Sequence, residues 1–126
     1  MMLVRGVRGA TTVTANDREE ILQATTELLH QIVEQNGIEP EFIASIWITV
    51  TEDIDAVFPA VAVRSLPGWE LVPIMCSVEM PVPGSLPLCV RIMLHVNTTK
   101  GQADIQHVYL NEAAKLRPDL VNRKTV

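Results

Sequence analysis

The sequence has 126 residues, 48% of them hydrophobic, which suits one globular domain with a sizeable core over residues 1–126. A net charge of −5 and an aromatic content of 4% argue against nucleic acid as a partner, because phosphate binding needs clustered cations and base binding needs stacking rings. No stretch is apolar enough to span a bilayer, and the first residues lack the apolar core of a secretion signal, so we expect a cytoplasmic protein without membrane contact.

The N-terminal third predicts a strand followed by a helix. Residues 3 to 13 are rich in β-branched residues and contain two glycines at which backbone or a ligand could come close. Asn16, with Glu19 three residues later, is the predicted N-cap of a helix over residues 17 to 35. Apolar residues recur at helical spacing along that segment, and Gly37 is expected to end it.

The remaining two thirds predict four strands and a second helix. The strand over residues 42 to 51 is mostly apolar, which predicts that it is covered on both faces. Pro59 suits the first turn of a helix over residues 59 to 66. Further strands are expected over residues 71 to 78, 88 to 96 and 105 to 110, and we expect the tail from about residue 117 to be mobile. The order β-α-β-α-β-β-β predicts an α/β (α+β) domain on one mixed five-stranded sheet with two helices.

One predicted strand, in PLCVRIMLHV at residues 87 to 96, carries a single permanent charge. Alternation places Arg91 on the same face as Cys89, Met93 and His95. A guanidinium among such neighbours is costly unless a carboxylate meets it. That carboxylate could be Glu79, in a buried ion pair, or it could belong to a ligand.

Several other polar side chains lie in or beside apolar segments. Arg8, Arg64 and Arg117 do so, Glu79 closes the third strand, and Tyr109 is the only tyrosine. Arg117 alone is most simply a side chain that reaches water or pairs with a local acid, whereas for Arg8 and Arg91 a functional role is favoured. Together, several guanidiniums, one carboxylate and one phenol are typical of a site for a small polyanion, since arginine binds carboxylates through two parallel hydrogen bonds.

The sequence lacks the residue patterns that several other kinds of chemistry require. Cys76 and Cys89 are expected to be reduced packing residues, because nothing indicates secretion and neither has metal-ligand spacing. GVRGATT lacks the lysine and the spacing of a phosphate-binding loop, and no Ser-His-Asp order stands out. We therefore expect no cofactor and no metal.

Five segments together resemble the monofunctional chorismate mutases of the AroH type: RGVRGATTV, VFPAVAVR, GWELVPIMCSVEM, CVRIMLHV and HVYLNEAAKLRPDL. The resemblance extends from Arg5 to about Leu120. It implies a homotrimer whose sheets pack into a barrel-like core with the helices outside, a pseudo-α/β barrel, and active sites in clefts between subunits. The implied reaction is the Claisen rearrangement of chorismate to prephenate in phenylalanine and tyrosine biosynthesis, without a cofactor.

The resemblance also implies roles for individual residues. Arg8 and Tyr109 would bind the carboxylate of the enolpyruvyl side chain, Arg91 would reach the ether oxygen, and Glu79 would accept from the ring hydroxyl. The other residues that would shape the pocket are Phe58, Ala60, Arg64, Ile74, Met75, Cys76 and Leu116. Arg117 and the tail would close over it. The chain departs from some relatives at Val61, where they carry a lysine, and at Met75, which replaces a small polar residue.

Two other functions use the same arginines. A trimeric binding module would hold a carboxylated metabolite without converting it. A small trimeric deaminase of enamine or imine metabolites would use an arginine for the substrate carboxylate, but it would not need Glu79. Conversion of chorismate by the pure protein separates the three.

Overall fold

A computed structural model describes residues 1–116 of the chain. Its two helices are α1 (Arg18–Asn36) and α2 (Ala60–Arg64), and short 3₁₀ turns lie at Pro40–Phe42, Gln102–Asp104 and Asn111–Lys115. Its strands are β1 (Leu3–Thr12), β2 (Ile43–Val50), β3 (Ile74–Val78), β4 (Cys89–Thr98) and β5 (Val108–Tyr109). The predicted order β-α-β-α-β-β-β is confirmed.

The five strands form one mixed sheet in the order β3-β2-β4-β1-β5. The central strand β4 pairs antiparallel with β1 and β2, whereas β3 and β5 pair parallel with their neighbours at the two edges. Both helices cover the same face, and their side chains join those of the sheet in one core. Fully buried members of that core include Val7, Ile21, Leu28, Leu29, Ile32, Ile48, Val63, Val90, Leu94 and Val108.

Helix α1 begins one residue later than predicted. Asp17 is the N-cap, and its Oδ2 accepts a hydrogen bond from the Glu20 amide at 3.0 Å. The expectation for Asn16 is wrong because its side chain binds another loop. Its Oδ1 accepts from the amides of Asp55 and Ala56, each at 3.0 Å, and thereby ties the segments that precede the two helices.

The other end of α1 sits tightly against β1. Gly37 adopts a left-handed conformation with φ of 60° and ends the helix, as predicted. A Cβ at Gly9 would lie 2.7 Å from Cδ1 of Ile32 and 3.1 Å from Cδ1 of Leu28. The absence of a side chain at Gly9 therefore lets the helix approach the strand.

Two elements are shorter than predicted because the intervening segment turns. The Trp69 amide donates to the Leu66 carbonyl, and the Val72 amide donates to the Trp69 carbonyl. These turns end α2 at Arg64 and delay β3 until Ile74.

Strand β5 is also shorter than the predicted residues 105 to 110. Asn36, at the end of α1, is 4% exposed. Its Oδ1 accepts from the Gln106 amide at 2.8 Å, and its Nδ2 donates to the Gln106 carbonyl at 2.9 Å. Because a side chain binds the Gln106 backbone, that residue does not extend the ladder with β1.

The second face of the sheet is open. The expectation that β2 is covered on both faces is wrong for the single chain, since Trp47 is 44% exposed and Met75 is 60% exposed. Strand pairing places Arg8, Met93, Trp47 and Met75 in one row across this face. Within residues 1–116, no helix combines the length and the apolar character needed to cross a membrane.

Candidate active site

A cleft of about 290 Å³ opens on the uncovered face of the sheet. This volume is near the lower end of the range of roughly 300–1,000 Å³ that is usual for small-molecule sites. The cleft contains four residues predicted for the site: Arg8, Arg91, Tyr109 and Leu116. Its other lining residues are Gly9, Ala10, Trp47, Thr49, Ile92 and Met93.

Arg91 lies on β4 between Thr49 of β2 and Ala10 of β1. The predicted alternation is confirmed, because Val90, Ile92, Leu94 and Val96 are buried under the helices while Arg91 faces the open side. Its side chain is 47% exposed, so the single chain leaves this charge half in water.

Glu79 follows β3 and reaches toward Arg91. Its backbone amide donates to the Val50 carbonyl at 2.8 Å, which fixes the residue at the end of the strand. The Thr49 hydroxyl donates to Oε2 of Glu79, and the Arg91 Nε lies 3.8 Å from the same oxygen. This ion pair is loose and partly solvated, so it stabilises the fold only slightly.

Arg8 brings a second guanidinium to the cleft. In the register of β1 and β4, Arg8 lies opposite Met93 and Arg91 lies opposite Ala10. The two arginines are therefore diagonal neighbours, with Cα atoms about 7–8 Å apart. No acid in residues 1–116 forms an ion pair with Arg8. Two like charges that face one small cleft repel each other, and an anion between them removes that cost.

Tyr109 and Leu116 reach the cleft from the opposite edge of the sheet. Tyr109 pairs with Ala10 across β1 and β5. The following 3₁₀ turn is held on β1, where Nδ2 of Asn111 donates to Oγ1 of Thr11 at 3.1 Å. That turn ends at the position from which Leu116 lines the cleft.

A buried thiol lies beneath this turn. Cys89 is 2% exposed and packs with Ala10, Tyr109 and Leu116. Burial raises the pKa of the Cys89 thiol above its ordinary value of 9.0, against the opposing effect of the nearby Arg91 guanidinium. Cys76 and Cys89 form no disulfide bond, and Cys76 is only partly buried. Residues 1–116 contain no cluster of His, Cys, Asp and Glu side chains suited to a metal ion.

The structure does not bring the other predicted pocket residues into this cleft. Phe58 is 71% exposed, and Arg64 and Met75 are exposed as well. Ala60 is buried, and Ile74 and Cys76 pack against the core on the helix side. Strand β3 is four strand spacings from β5, or roughly 19 Å, so residues of β3 cannot reach Tyr109 within one chain. Arg117 lies outside the described residues.

Sequence reasoning missed Trp47 and Thr49 as lining residues. FIASIWITVT contains so many apolar residues that its pattern predicts a strand covered on both faces. The signal was present in the polarity of Ser45 and Thr49, which alternate with the buried Ile46 and Ile48.

The chain is similar to known chorismate mutases in sequence and in structure. The chain is 50% identical over 119 residues to chorismate mutase AroH of Bacillus subtilis (strain 168), with 94% of each chain covered. It is 49% identical over 119 residues to chorismate mutase AroH of Thermus thermophilus, covering 94% of this chain and 97% of the relative. A solved chorismate mutase from Clostridium thermocellum superimposes with a TM-score of 0.85 at 50% identity, covering 88% of this chain and 98% of that one. The family model for chorismate mutase type I matches residues 4–120, and the chain therefore belongs to that family.

Proposed function

We propose that the cleft of Arg8, Arg91 and Tyr109 is the site at which this chorismate mutase converts chorismate to prephenate. The observation that carries the assignment is the pair of guanidiniums, on adjacent strands, that face one small cleft. Glu79 does not line this cleft, but its Oε2 lies 3.8 Å from the Nε of Arg91. A dicarboxylate substrate supplies the negative charge that this arrangement lacks.

Arg91 is assigned to the ether oxygen. In this rearrangement one C–O bond breaks as one C–C bond forms, and negative charge builds on the ether oxygen as the bond lengthens. A donor already in place when that charge develops typically contributes about 3–4 kcal/mol to catalysis. A guanidinium keeps its proton in a dry site, where a lysine can lose it.

Arg8, Tyr109 and Glu79 are assigned to holding the substrate. Arg8 and Tyr109 bind the side-chain carboxylate, and a carboxylate oxygen of Glu79 accepts from the ring hydroxyl. Thr49 and Arg91 both engage Oε2 of Glu79, so Oε1 is the oxygen we assign to the substrate. Restraining a flexible dianion in its compact reactive conformation removes an entropic part of the barrier.

The active unit is assigned as a homotrimer in which a neighbouring subunit completes each cleft. Support comes from the open apolar face around Trp47 and Met75 and from the half-exposed Arg91, which would become dry only when covered. The neighbour would supply the exposed side chains that this chain keeps away from its own cleft, Phe58, Met75 and, at the mouth, Arg64. Ala60, Ile74 and Cys76, whose side chains pack into their own subunit, would support these residues from behind. The metabolic role in aromatic amino acid synthesis suits a cytoplasmic enzyme.

The direct test is to add chorismate to the pure protein and follow the loss of its absorbance, with Arg91→Ala as the inactive reference. We expect rapid loss with the wild type and formation of prephenate. Saturable binding of chorismate without conversion would instead support a binding module. Release of ammonia from an enamine, with chorismate unchanged, would support a deaminase.

A further inference from the structure

The backbone amide of Arg8 donates to a side chain at a position where it would ordinarily donate to a carbonyl of the neighbouring strand. Strand β5 pairs with β1 only at Val108 and Tyr109, and the Leu110 amide donates to the Ala10 carbonyl at 2.9 Å. Two residues back along this parallel ladder, the Arg8 amide would point at the carbonyl of Gln106. It donates instead to Nδ1 of His107, at 2.9 Å.

The Gln106 carbonyl, at which the Arg8 amide would ordinarily point, accepts a hydrogen bond from Asn36. The buried Asn36 amide binds both backbone groups of Gln106, and its Nδ2 also donates to the Ile32 carbonyl at 2.9 Å. The end of α1 thus fixes the chain just before His107. Lys100 adds a further constraint, because its Nζ donates to the Asn36 carbonyl at 2.8 Å.

We infer that His107 is a positioning residue for Arg8, acting through this backbone hydrogen bond. A neutral imidazole with an unprotonated Nδ1 accepts from the Arg8 amide and fixes the point from which the guanidinium extends into the cleft. Without the acceptor, the part-buried amide must shift to find water or another partner. The inference rests on the proposed function, because it assumes that Arg8 binds the substrate carboxylate.

The kinetic test compares two substitutions of one residue. His107→Leu removes the acceptor, whereas His107→Asn places an amide oxygen close to the position of Nδ1. Arg8 would bind the carboxylate equally in the ground state and the transition state, so its displacement should raise KM more than it lowers kcat. We expect KM for chorismate to rise about tenfold in His107→Leu with kcat within about twofold, and to return close to wild type in His107→Asn.

A double-mutant cycle asks whether the effect passes through Arg8. In an Arg8→Ala background, His107→Leu should raise KM no further. Full additivity of the two substitutions would overturn the inference, as would an unchanged KM in His107→Leu. Ile21→Val is the matched control, because it loosens the buried core at the far end of α1 and should lower thermal stability without changing KM.

A measurement on the wild type covers the case in which His107→Leu does not fold. The ¹⁵N chemical shifts of His107 should show a neutral ring that is unprotonated at Nδ1, and a proton at Nδ1 would overturn the inference. The two proposals fail differently. If wild type converts chorismate and Arg8→Ala raises KM but His107→Leu does not, only the positioning role is lost. If wild type does not convert chorismate, the proposed function is lost and the positioning role with it.

Discussion

The Nε of Arg91 lies 3.8 Å from Oε2 of Glu79, and the same oxygen accepts a hydrogen bond from Thr49. These three residues belong to or follow three different strands, so the sheet itself sets their spacing. The separation is longer than a hydrogen bond of ideal geometry, which ordinarily spans about 2.7–2.9 Å between charged partners. Glu79 is therefore held mainly by Thr49, and Arg91 keeps capacity to bind a substrate.

Replacing Arg91 should remove most of the catalysis. We expect Arg91→Ala to lower kcat at least about 100-fold, because it removes a fixed positive charge at the oxygen where negative charge develops. Steady-state assays with chorismate measure the effect. Arg18→Ala, which removes an exposed arginine at the start of α1, is the matched control and should leave kcat unchanged. Turnover close to wild type in Arg91→Ala would refute the assignment.

Replacing Glu79 should have a milder effect. In Glu79→Gln the amide oxygen can still accept from the ring hydroxyl, so we expect a smaller fall in kcat than in Arg91→Ala. Thr49→Val removes the hydroxyl that donates to Oε2, and its kcat should lie between those of wild type and Glu79→Gln. A loss in Glu79→Gln as deep as that in Arg91→Ala would show that the negative charge matters more than the acceptor.

Mixing two impaired variants tests whether each cleft combines two subunits. Arg91→Ala removes a residue of one proposed half of the site, and Arg64→Ala removes a residue of the other. After the two chains are unfolded and refolded together in equal amounts, about a quarter of the clefts of random trimers should carry both arginines. Recovered activity above that of either variant is the expected result, with light scattering reporting three chains. No recovery, or a stable monomer, would contradict the shared site.

The buried thiol should make stability depend on alkaline pH. The pKa of Cys89 is raised in the folded chain above the ordinary value of 9.0, so the unfolded chain releases this proton first. The contribution of this thiol to the free energy of unfolding is complete below about pH 9. It is lost as the pH rises through the folded pKa, by up to about 1.4 kcal/mol per pH unit. Urea midpoints at pH 8 to 10.5 should fall less steeply for Cys89→Ala than for wild type. Equal slopes in the two proteins would contradict this account, and Cys76→Ala controls for the other thiol.

The sequence was most informative where one physical signal dominated. The helical spacing before Gly37 predicted α1 to within a residue at each end, and the alternation around Arg91 predicted which side chains of β4 face the helices. The predictions from sequence were wrong where side chains form hydrogen bonds to distant backbone groups. Asn16 binds a distant loop instead of capping α1, and Asn36 shortens β5 by binding Gln106. Such long-range amide contacts have no periodic pattern in a sequence.

The candidate site could be predicted only in part, for a related reason. Arg8, Arg91 and Tyr109 meet because strands β4, β1 and β5 are neighbours, which follows from the sheet order and is not visible in residue spacing. Glu79 could be linked to Arg91 by charge alone. Thr49 could not, because its role depends on the register between β2 and β4.

The open face around Trp47 and Met75 should determine how soon activity appears during refolding. On the proposed assembly, a refolding chain first closes its own core, a step whose rate does not depend on concentration. It then meets two more chains, a step whose rate does. Activity should therefore appear after a lag that shortens as more protein is added. In very dilute solution the folded chains would accumulate before any of them becomes a catalyst.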